Sequence, residues 1–147
     1  FIYNYMKKNE ILSLAKKKKG LSKKELDKIL EKWQKKLGMD DWKMDIKIVN
    51  FKRNDYRQSG DFKANRKKKQ ASILLTVDPF PRNQPTIARQ EEQTILHELI
   101  HIFLWEFDAF AEKIILKNCE EYKGDHIKYL EKLEKTVDGL TLAFLKK

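Results

Sequence analysis

The chain of 147 residues contains one cysteine, five arginines and three histidines. A single cysteine, Cys119, cannot close an internal disulfide. The fold must therefore rest on a packed core, and a reducing, cytoplasmic setting is expected. Cys119 itself reads as a structural residue. No apolar run approaches the ~18 residues of a membrane span. The aromatic stretch Phe1 to Met6 is too short and wrongly flanked for a signal peptide. No internal repeat is visible, and no helix-turn-helix, zinc-finger or RNA-recognition pattern.

What is present is a core and an excess of lysine. Hydrophobic residues make up 41% and aromatics 11%, which excludes a wholly disordered chain. Lys+Arg number 32 against 22 Asp+Glu, a formal net charge of +10. Of the 32, 27 are lysines, which suit solvation better than the bidentate recognition arginine provides. The charge is uneven: residues 1–70 carry a net +13 and residues 71–147 a net −3. Lys16 to Lys19 and Arg66 to Lys69 hold much of the excess. Such a half would suit a polyanion, nucleic acid included, or would simply be a solvated face.

Periodicity predicts one α+β domain over residues 21–147 behind a loose arm, residues 1–20. Ser22-Lys23-Lys24-Glu25 is a capping box, followed by Leu26, Ile29, Leu30, Trp33 and Leu37 at helical spacing and Gly38 as a stop. Trp42, Met44, Ile46 and Ile48 alternate with polar residues, the period of a half-buried strand. Asn54 to Gly60 reads as a turn, and Asp61 to Lys69 as a lysine-guarded edge strand. Ala71 to Val77 is a further strand, its end marked by Asp78-Pro79; Pro81 and Pro85 hold a loop open. From about Thr86 the period is helical. Ile95, Leu96, Leu99, Ile100, Ile102 and Phe103 cover most of a helix circumference, which predicts a core helix. Phe107 to Gly124 is mixed and reads as a short helix and a loop, and a last helix is expected from Asp125 to Leu145.

The core helix carries His97-Glu98-Leu99-Ile100-His101. Residues i and i+4 share a helix face, so two imidazoles converge on one tetrahedral metal. Glu98 is placed to reach a metal-activated water and act as general base. Two of the chain's three histidines fall in this pattern, within an apolar and uncharged flank from Thr94 to Phe103.

Thr94 to Phe103 resembles the extended consensus of the zincin (HExxH) metallopeptidases, and the likeness extends over about residues 40–145. It implies a small twisted antiparallel or mixed sheet packed against the active-site helix and a C-terminal helix. It also implies Zn²⁺ as cofactor and hydrolysis of a peptide or protein substrate. Two branches of the family suggest different third ligands. Glu134-Lys135-Thr136-Val137-Asp138 fits the E-x-x-x-D of gluzincins, with Glu134 on the metal and Asp138 hydrogen-bonded to a ligand histidine. His126, 25 residues after His101, suits SprT-like proteases, which act on DNA-associated proteins. If Glu134 is the ligand, His126 or Tyr129 would be free to stabilise an oxyanion. ImmA-type phage and mobile-element proteases look similar, but they carry glycine where this chain has Ile100. A non-catalytic, zinc-stabilised binding module is the alternative outside enzymes. Glu91 and Glu92 favour the helix dipole. Glu106, Asp108 and Glu112 read as surface, and Glu131 as a weaker ligand. The strand Ala71–Val77 would offer an edge to an extended substrate.

Overall fold

A computed structural model describes residues 21–49, 60–76 and 91–146. The arm, the 54–59 turn, the proline loop and the segment from Thr86 to Gln90 lie outside them. Helix α1 runs Lys23–Lys36. Ser22 Oγ accepts from the Glu25 amide at 3.3 Å, and Glu25 returns the bond to the Ser22 amide at 2.7 Å. At the other end Gly38 adopts φ +67°, so its amide reaches Lys35 O and the Met39 amide reaches Gln34 O. A side chain at Gly38 would strain this left-handed stop.

Three strands follow: β1 Lys43–Val49, β2 Gly60–Asn65 and β3 Gln70–Thr76. Their order is β1-β3-β2, with β1 parallel and β2 antiparallel to β3. The sheet is therefore mixed, and β3 lies in its centre. This corrects the expectation that Ala71–Val77 offers an edge: both sides of β3 are occupied, and the edges are β1 and β2. The lysine run belongs to the hairpin turn, Arg66 to Lys69, rather than to the strand.

In-register positions give the sheet two unlike faces. Ile46, Ala71, Ile73 and Leu75 are buried toward the helices, and Met44, Phe62 and Ala64 pack beside them. Lys43, Asp45, Lys63, Asn65 and Gln70 point the other way and are exposed. Ile48, at the end of the edge strand β1, is half-exposed against the alternation.

Helix α2, Glu91–Phe103, lies on the apolar face. It packs on the sheet and α1, and its far side packs on α4, Asp125–Leu145. That double cover is why Ile95, Leu96, Leu99 and Ile100 are all fully buried. Each contributes about 1.5–3 kcal/mol of burial. Glu92 anchors the start of α2, accepting from Trp33 Nε1 and from Lys32 Nζ, both at 2.7 Å. Between α2 and α4 stands α3, Trp105–Ile115, a short helix in the mixed stretch that starts two residues earlier than expected. No described helix is long and apolar enough to cross a membrane.

Candidate metal centre

Packing α4 along α2 brings the two sequence motifs together. His97 and His101, one turn apart on α2, direct their Nε2 atoms to within 3.2 Å of each other. Glu134 enters from α4: Oε1 lies 2.9 Å from His101 Nε2 and Oε2 3.4 Å from His97 Nε2. Two donors held 2.0–2.1 Å from one tetrahedral zinc sit roughly 3.3 Å apart. The His97–His101 separation matches that spacing, and one oxygen of the Glu134 carboxylate lies against each imidazole. Two imidazoles and one carboxylate also suit zinc chemically. His97, His101 and Glu134 are the only group of this kind among the described residues.

The surroundings are graded in burial. His97 is buried, His101 nearly so, and the Glu134 side chain is about half-exposed. The cluster thus opens on its α4 side, and Phe144 further along that helix is half-exposed. Behind His97, Asp138 Oδ1 lies 3.0 Å from Nδ1. The pair is within contact distance but bent from the ring N–H axis, so it does not form a fully aligned hydrogen bond. A carboxylate there still fixes the ring with Nε2 toward Glu134. Phe62 of β2 stacks on His101, with ring centres 5.9 Å apart.

Charge coupling within the cluster is strong. Hydrogen bonding to His101 and then His97 holds the Glu134 carboxyl well below the usual carboxylate range. For His101, burial alone would lower the pKa. The hydrogen bond that His101 donates to Glu134 and the charges of Glu134, Glu98 and Asp108 together outweigh burial and raise it.

Glu98 is buried beside this triangle, not within it. It sits against β2 at Gly60, where a Cβ would come 3.2 Å from Glu98 Oε1 and 2.4 Å from Thr94 Cγ2. Only bare main chain fits there. The sequence reading treated Gly60 as turn punctuation, and its close approach to the helix could not be read without the pairing of β2.

His126 departs from expectation. It is buried, not an exposed cap residue, and it is not among the three clustered donors. The Tyr122 amide donates to its Nδ1 at 2.7 Å, and Glu112 Oε2 lies 3.3 Å from its Nε2. His126 thus faces α3 and the turn before α4. Tyr129 is likewise engaged, donating to Asp108 Oδ1 at 2.5 Å. Burial and that bond push its pKa up. Asp108 and Glu112 are therefore partly buried, whereas Glu106 and Glu131 are exposed. The Cys119 thiol donates to Ile115 O at 3.4 Å.

Comparisons with family models, curated proteins and solved structures find no match to this chain.

Proposed function

We propose that the protein is a zinc-dependent metallopeptidase of the zincin type. The observation that carries this reading is the convergence of His97, His101 and Glu134 from two helices, with the two imidazole Nε2 atoms at tetrahedral donor spacing and the Glu134 carboxylate against both. Asp138 behind His97 and Glu98 beside the cluster support it. Three protein donors, rather than four, among the described residues leave a position open, as a catalytic centre requires and a closed structural site does not.

Zinc at these donors would acidify a water to a pKa of about 7 and polarise a substrate carbonyl. The chain's own residues supply the rest. Glu98 takes the water's proton on its carboxylate and returns it to the leaving amine. Asp138 keeps His97 oriented through the cycle. Outside the sheet's β3 pairing, β2 presents a free edge beside His101 among the described residues, and an extended peptide would pair along it. That edge replaces the one first expected of β3. The three-donor group without His126 favours this reading over the SprT-like alternative. A cytoplasmic setting fits the lone cysteine.

The test is hydrolysis of a denatured-protein digest by the zinc-loaded chain, read by mass spectrometry, beside Glu98→Gln. The expected result is new termini with the wild type and a loss of about 10²–10⁴-fold with the variant, zinc content unchanged. Equal cleavage by both would exclude Glu98 as the base.

A further inference from the structure

Helix α3 leaves part of its apolar surface uncovered. Its inward side is mixed: Trp105 and Ile115 are half-buried, Trp105 lies 4.1 Å under the Arg66 guanidinium, Asp108 accepts from Tyr129, and Glu112 meets His126. Its outward side is apolar: Phe107 and Phe110 are 67% and 66% exposed, Ile114 46%, and Phe103 just before it 55%. No residue of α3 is buried. At 150–250 Å² per ring, the three phenylalanines alone leave about 400 Å² of apolar surface facing out. That is close to the largest patch a typical monomer shows.

We propose that this face binds the same face of a second copy, with the two α3 helices antiparallel about a two-fold axis. The steps of four, three and four from Phe103 through Phe107 and Phe110 to Ile114 are those of a coiled-coil seam. The residues beside the seam decide the direction. Glu106 and Lys113 hold the same flanking position, one residue ahead of Phe107 and of Ile114, and both are exposed. In an antiparallel pair, like flanking positions face each other. Glu106 then meets Lys113 of the partner subunit, and symmetry makes the contact twice. A parallel pair would set Glu106 against Ala111 instead, with no charge gained. The apolar area per copy is below the ~800 Å² of a standard stable interface, so the dimer is weak and forms reversibly with concentration.

The test is the mass of the full chain by light scattering across a concentration series. The expected result is a monomer–dimer equilibrium. Phe107→Glu should remain monomeric at every concentration with its melting temperature unchanged. Glu106→Lys and Lys113→Glu should each weaken the dimer by about tenfold, as two symmetry-related pairs turn repulsive. The double reversal should restore it. A wild type that stays monomeric throughout would overturn the proposal, whatever then covers the stripe, residues 1–20 included. Reversals that add without rescue would overturn the antiparallel arrangement.

Discussion

Removing Asp138 isolates the support behind one metal ligand from the ligands themselves. Asp138 Oδ1 stands 3.0 Å from His97 Nδ1 on the side away from the donor cluster. Asp138→Ala would leave the imidazole free to rotate and its buried Nδ1 without a carboxylate. Losing such a partner typically costs 10–100-fold in metal affinity. Two features of this site set the value at the lower end: the Asp138 side chain is 46% exposed, and the contact is bent. The expected loss is about tenfold, or about 1.4 kcal/mol of binding free energy. Asp138→Asn keeps an acceptor without the charge and should fall between wild type and alanine. Competition against a fluorescent zinc chelator at neutral pH reads these values directly, with Glu134→Ala as the reference for losing a donor. Affinity within twofold of wild type would refute the orienting role. A loss as large as that of Glu134→Ala would mean that Asp138 is itself a donor.

Other predictions follow from neighbouring contacts. Gly60→Ala should retain zinc but reduce hydrolysis by about 10²-fold, because the new Cβ displaces Thr94 and Glu98; Thr94→Ser in the same chain removes the clashing methyl and should recover most of the rate. Zinc affinity should fall on the alkaline side of an ordinary histidine titration. The metal needs a neutral imidazole, His101 holds its proton above the usual 6.5, and so proton competition begins as pH drops through that raised value. Titrating affinity from about pH 8 to about pH 5.5 checks this, and a midpoint below the usual value of about 6.5 would contradict it. Trp33→Phe removes the donor to Glu92 and should cost about 1–2 kcal/mol. Thermal unfolding should then shift down by about 3–8 °C, with zinc stoichiometry unchanged.

The sequence was most legible where the signal was local. Ser22 and Glu25 announce the start of α1, Gly38 its end, and the apolar residues from Ile95 to Ile102 the buried helix. The His97–His101 spacing and the Glu134–Asp138 spacing each describe one helix face, so both halves of the donor set could be read separately. What joins them is the packing of α4 on α2, a non-local fact. The stretch from Phe107 to Gly124 reads as mixed because α3 divides its apolar residues between its two sides: Trp105 and Ile115 are half-buried, while Phe107, Phe110 and Ile114 are exposed. Nothing local signals the burial of His126, because its neighbours Lys123, Gly124 and Asp125 are all exposed. Strand order was the other blind spot. Nothing local in Ala71–Thr76 says that β1 runs parallel on one side and β2 antiparallel on the other, yet that order decides which edge lies beside the site.

Zinc content of the purified chain, measured with Glu134→Ala and His126→Ala, tests the central claim most directly. The account predicts about one zinc per chain in the wild type and in His126→Ala, and loss of the metal in Glu134→Ala. Absence of zinc from the wild type after reconstitution, or its loss with His126→Ala alone, would contradict the three-donor centre.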